Sequence, residues 1–129
     1  MKITQLLSEL KFVLLAVAWT VLITVLSLIS FERTPSFMLQ LPFKDKLVHF
    51  IFYFVFVVLW CFGLHKTDKI KILLIAVVYG IIIEILQDTI TVSRTADFFD
   101  VIANSLGALI AFFMLPYFVR LFYSTKIKN

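Results

Sequence analysis

The chain has 129 residues, 62% hydrophobic and 16% charged, with a mean hydropathy of +1.05 and a net charge of +4. Soluble domains run at about 45–50% apolar and about 25% charged, so a water-soluble globule and a disordered chain are both excluded. Nor does the modest positive charge call for nucleic acid, because in a membrane protein the placement of Lys and Arg matters more than their sum. The lone Cys61 leaves no intrachain disulfide.

Phe12 to Phe31 is twenty residues without a charge. At about 1.5 Å per residue that is a helix of about 30 Å, the thickness of a bilayer core. The stretch is longer than a signal-peptide core and no A-x-A-like site follows it, so it reads as an uncleaved anchor. Next comes Phe37, Met38, Leu39, Leu41 and Phe43 between Pro35 and Pro42. This segment is too short to span and too apolar for a free loop, which suits a position in the membrane interface. Leu47 to Leu64 carries only His49, Tyr53 and Cys61 as titratable groups. Ile70 to Ile90 is apolar apart from Lys71 at one end and Glu84, Gln87 and Asp88 toward the other. Val101 to Val119 carries Asn104 and Ser105, with Gly107 and Pro116 as irregularities. Such continuous apolarity is longer than a soluble strand and lacks the alternation of a membrane barrel. The expected fold is therefore all-α. Residues 1–129 form one integral membrane bundle of four transmembrane helices at about 11–31, 47–65, 70–90 and 98–122, with an interfacial segment after the first.

Orientation follows from the basic residues of the flanks. The N-terminus, the 65–71 connection and the C-terminus carry Lys2, Lys11, Lys66, Lys69, Lys71, Arg120, Lys126 and Lys128. The opposite connections carry Arg33, Lys44, Lys46 and Arg94. Eight against four puts both termini in the cytoplasm, and a bacterial cytoplasmic membrane is the expected location.

With that orientation, the polar groups collect near one interface. His49 lies about one turn into the second helix, Glu84 about 9 Å before the end of the third, and Asn104 about one turn beyond Asp100 in the fourth. Helical spacing gathers them by face: Asp45, His49 and Tyr53; Lys46 and His49; Glu84 and Gln87; and Asp97, Asp100, Asn104 and Gly107. Ionisable groups are costly at membrane depth, so a set of them at one level is a functional-site hypothesis. Each has a plainer reading beside it. His49 and Asn104 can be interhelical hydrogen bonders, Glu84 can pair with Arg94 or Lys46, Asp100 can cap the fourth helix, and Arg94 and Asp97 can be loop charges. Gly80 and Gly107–Ala108 offer small surfaces where helices can approach closely. His65, Cys61 and Asp68, at the other end, read as incidental.

At these residues the chain resembles the VanZ-like family. The pattern runs Asp45-Lys46-x-x-His49-Phe50 with Tyr53-Phe54, then Tyr79-Gly80-x-x-x-Glu84-x-x-Gln87. It closes with Arg94-Thr95-x-Asp97-x-x-Asp100-x-x-Ala103-Asn104-x-x-Gly107-Ala108. The likeness covers about residues 45–111 and departs at Ala111, where the family often has a second Gly. It implies a multi-helix membrane bundle, and it links one member to teicoplanin, a glycopeptide acting on the cell envelope.

Three functions remain open. The first is binding or handling of an envelope lipid or lipid-linked precursor, with Lys46, Arg94 and His49 meeting an anionic headgroup. The second is an intramembrane hydrolase or transferase with His49 and Glu84 as candidate catalytic groups, where the acids and His49 can also hold a divalent cation. The third is a structural or regulatory membrane subunit. A proton or ion pathway fails for want of polar groups in the cytoplasmic half.

Overall fold

The computed structural model describes residues 3–29, 44–91 and 95–126, in four helices and no strands. They are α1 (Ile3–Leu28), α2 (Lys44–Gly63), α3 (Lys69–Ile90) and α4 (Phe98–Lys126). Each contains a stretch long and apolar enough to cross a membrane: Leu6–Leu28, Lys44–Gly63, Lys69–Ile90 and Phe98–Phe122. The expected four-helix, all-α membrane fold is what the chain forms.

The bounds differ from the expected ones chiefly at charged ends. α1 begins eight residues before position 11 and α2 three before position 47. The turns carrying Glu9, Lys44, Asp45 and Lys46 are helical, because a charge debars a residue from hydrocarbon but not from a helix. α1 ends at Leu28, with Ile29 in a bend, and α2 ends at Gly63. α4 runs through Pro116 to Lys126. The expected interfacial segment around 35–43 lies outside the described residues.

Packing inverts the pattern of a soluble protein. Leu14, Val21, Leu74, Ile75, Ile85 and Phe113 face outward, while His49, Glu84, Gln87 and Asn104 are buried. Lipid is as apolar as leucine, so helices associate through close approach and hydrogen bonds. Ala16, Ala76, Ala108 and Ala111 are fully buried for that reason. α2 packs on all three other helices, most extensively on α4. Their backbones meet at Gly107, where an added Cβ would lie 2.9 Å from the Phe50 carbonyl carbon and closer still to its oxygen. Small residues thus fix the α2–α4 distance, and with it the spacing of their polar side chains.

Two adjacent residues of opposite charge close the α2–α3 hairpin. Asp68 caps α3 by accepting from the Ile70 amide at 3.0 Å. Lys69 donates to the carbonyls of Cys61 at 3.1 Å, Leu64 at 3.3 Å and His65 at 3.1 Å, neutralising the open end of α2. Each device suits its helix terminus electrostatically. His65 reaches α1 through Glu9, with Nδ1 to Oε1 at 3.2 Å. Phe12, Phe62 and Phe122 cluster above this turn with ring centroids 5.1–5.6 Å apart. The hairpin end is therefore a structural anchor, and the candidate polar residues gather at the opposite end.

Candidate functional site

α2 supplies a descending stripe of Lys46, His49, Tyr53, Phe56 and Trp60, spaced three or four residues apart on one face. α3 places Glu84 one turn beyond Gly80, whose missing side chain leaves room for the Tyr53 ring and the Asn104 amide. α4 begins after Asp97, which accepts from the Phe99 amide at 2.8 Å and so caps the helix. Asp100 and Asn104 then turn inward toward α2. The sequence offered Asp100 as the cap and Asp97 as a loop charge. Asp97 takes the cap, because the helix starts at Phe98, and Asp100 lies within its first turn.

His49 is the centre. Its Nδ1 lies 3.0 Å from Asn104 Oδ1 and 3.5 Å from Glu84 Oε1, and its Nε2 lies 3.5 Å from Asp100 Oδ2. Lys46 Nζ bonds Asp97 and reaches Asp100 Oδ1 at 3.0 Å. The Asp97 amide points at Glu84 Oε2 from 3.5 Å, which brings the start of α4 over α3. Exposure grades inward: 37% and 31% for the side chains of Asp97 and Lys46, 14% for Asp100, then 7% and 3% for His49 and Glu84. The site therefore has a mouth and a floor. At the mouth, the hydrogen bond from Lys46, aided by the Phe99 amide, holds the Asp97 carboxyl below its ordinary value of 3.8.

Beneath the floor lies an aromatic layer. Tyr53, Phe56 and Tyr79 have centroids 5.4–6.2 Å apart, and Phe56 continues to Trp60 at 6.1 Å. α1 secures this layer with hydroxyls. Thr24 Oγ1 and Tyr79 Oη are 2.6 Å apart, Tyr79 donates to the Thr20 carbonyl at 3.2 Å, and Trp60 donates to Thr20 Oγ1 at 3.1 Å. Trp19, also on α1, donates to the Phe52 carbonyl at 2.9 Å.

Of the ten residues singled out by sequence, Lys46, His49, Glu84, Asp97, Asp100 and Asn104 form one connected group. Tyr53 is buried one turn below it. Gln87 is buried but donates to the Ser27 carbonyl at 2.9 Å, so it ties α3 to α1. Asp45 is exposed on the first turn of α2. Arg94 lies outside the described residues. Sequence reasoning missed Thr20, Thr24 and Ser27; their i, i+4, i+7 spacing in α1 was the available signal. As potential ligands, one atom each from His49, Glu84 and Asp100 lie within 4.8 Å of one another.

The VanZ/LLP1 family profile matches residues 4–122. The chain belongs to the VanZ/LLP1 family. The match takes in α1 as well as the helices that carry the motifs, so the likeness extends well past residues 45–111. An uncharacterized protein of the fission yeast Schizosaccharomyces pombe is 35% identical over 77 residues, covering 57% of this chain and 47% of that protein. The chain thus spans about half the length of the curated relative it matches. No solved structure matches this VanZ-family chain.

Proposed function

We propose that this VanZ-family protein binds an envelope lipid or lipid-linked precursor, with the headgroup at the polar site and the hydrocarbon along the outward faces of the helices. The observation that carries the reading is the gradient from the part-exposed Lys46–Asp97 pair to the buried His49, Glu84 and Asn104. A charge at the centre of a membrane helix costs about 2.5–3.5 kcal/mol on insertion scales, so a cluster kept at depth favours a ligand site over chance. Lys46 is the base at the mouth, and Arg94 is the second base that the sequence assigns to this end. The balance of basic residues favours an outward-facing site with both termini cytoplasmic, in a bacterial inner membrane. Handling of such a lipid is also the route by which the protein would bear on glycopeptide susceptibility of the teicoplanin type.

Native mass spectrometry of the purified protein tests this reading. An anionic lipid should accompany the wild type and be lost from folded His49→Ala and Glu84→Gln variants. Folded variants that keep the wild-type lipid would leave a structural role in its place. A second reading, hydrolysis or transfer at the headgroup, is favoured by the way Asn104 holds one nitrogen of His49 while the other turns to Asp100. An imidazole oriented in this way suits general acid–base work. Turnover of the bound lipid, abolished by both substitutions, distinguishes catalysis from binding alone.

A further inference from the structure

We propose that His49, Glu84 and Asp100 form a binding site for one divalent cation of the Mn2+ or Zn2+ class. The geometry supplies the first argument. A cation about 2.0–2.2 Å from each ligand holds neighbouring ligand atoms about 3–3.6 Å apart. The three ligand atoms already lie within 4.8 Å, so a side-chain adjustment of about an ångström closes the shell. One imidazole with two carboxylates is a donor set for these ions, whereas Ca2+ and Mg2+ favour oxygen alone.

The hydrogen bonding of His49 supplies the second argument. Asn104 Oδ1 lies 3.0 Å from Nδ1, so the neutral tautomer with the proton on Nδ1 would donate it to Asn104 and turn the Nε2 lone pair toward Asp100. That lone pair faces Asp100 Oδ2 across 3.5 Å. In that tautomer the two acceptors repel unless a cation lies between them, whereas a second ring proton would make the contact an ion pair. Metal-ligating histidines commonly donate their other ring N–H, and Asn104 Oδ1 is placed to receive it from His49. The contacts of His49 with Glu84 and Asp100, both 3.5 Å, are longer than the usual hydrogen bond of about 2.7–3.2 Å.

A third observation comes from below the trio. Asn104 Nδ2 and Tyr53 Oη are buried without a hydrogen-bond partner, in residues only 1% exposed. Buried donors of this kind are normally satisfied, and a water carried in with the cation, between the trio and Gly80, would give them an acceptor. The cation also removes a difficulty in phosphate binding. Glu84, Asp97 and Asp100 oppose a bare phosphate, and Lys46 is engaged by two of them. A divalent ion reverses the sign of the floor. The cation site itself does not depend on the lipid reading.

Metal-stripped protein in detergent, titrated with Mn2+ alone and followed by electron paramagnetic resonance, decides the matter. The free-ion signal should fall with a stoichiometry of one per chain. The bound ion should show nitrogen coupling from the single imidazole. Affinity should fall at least tenfold in Glu84→Gln and Asp100→Asn, and rise severalfold in Lys46→Gln, which frees Asp100 from its competing ammonium. Wild-type protein that leaves the Mn2+ signal unchanged at millimolar metal would overturn the proposal and leave an imidazolium bridging the carboxylates. Bound Mn2+ without nitrogen coupling would overturn it too, even if a variant failed to fold. Neither result touches the lipid measurement, which requires no added metal.

Discussion

Asp97 serves two partners at once, the ammonium of Lys46 and the first turn of α4. Both interactions need the carboxylate, and together they hold its acidity above that of a free side chain. A group whose pKa is depressed on folding contributes stability above its unfolded value and loses it as pH falls through the folded one. The mouth should therefore hold at neutral pH and loosen only below pH 3.8, the ordinary carboxyl value. Thermal unfolding followed between about pH 7 and about pH 2.5 measures this. Asp97→Asn should flatten the acid limb, and an unchanged limb would remove Asp97 from the account. At this scale the sequence was most informative where a charge or amide stood inside hydrocarbon, as at His49, Glu84 and Asn104. It was least informative where partners depend on rotation about a helix axis. Gln87 shares a face with Glu84 yet turns to Ser27, and no spacing within α3 alone can show that.

At the scale of elements, the polar site depends on how closely α2 and α4 approach. Gly107→Ala would drive a methyl into the Phe50 carbonyl, which belongs to helix backbone and cannot move alone. Overpacking of this kind costs about 1–3 kcal/mol, with the greater part of that range expected here. Gly80→Ala meets side-chain atoms at 3.2–3.3 Å, the Tyr53 ring edge and the Asn104 side chain, and needs a shift of only a few tenths of an ångström. Its cost should be smaller, below about 1.5 kcal/mol. Denaturation midpoints of the two variants in one detergent test the order, and a reversed order would refute the backbone-contact account. The existence of the four helices was legible because hydrocarbon length is a strong constraint. Their ends were not, because the rule used to find them marks where charge begins rather than where helical hydrogen bonding stops. α1 shows this most clearly, with a full helical segment from Ile3 that includes Glu9 and Lys11.

For the molecule as a whole, the arrangement is one-sided. The polar groups sit where α2 and α4 begin and α3 ends, and the capped hairpin of residues 64–68 occupies the other end. A cysteine introduced at position 95 should react with an impermeant reagent added outside intact cells. Labelling only after the cytoplasmic side is opened would invert the topology and turn the site inward. The pairing of the clusters at one level was readable from sequence, since antiparallel helices of similar length bring alternate ends together. What lies beneath them was not, because Phe and Tyr look alike whether they face lipid or a neighbour. The layer of Tyr53, Phe56, Tyr79 and Trp60, pinned by Thr20 and Thr24, fills the space beneath the polar groups with rings. On the proposed lipid reading, a headgroup would enter and leave at the Lys46–Asp97 end. Ligand and any product would then belong to a single leaflet, and movement of lipid between leaflets would need other machinery.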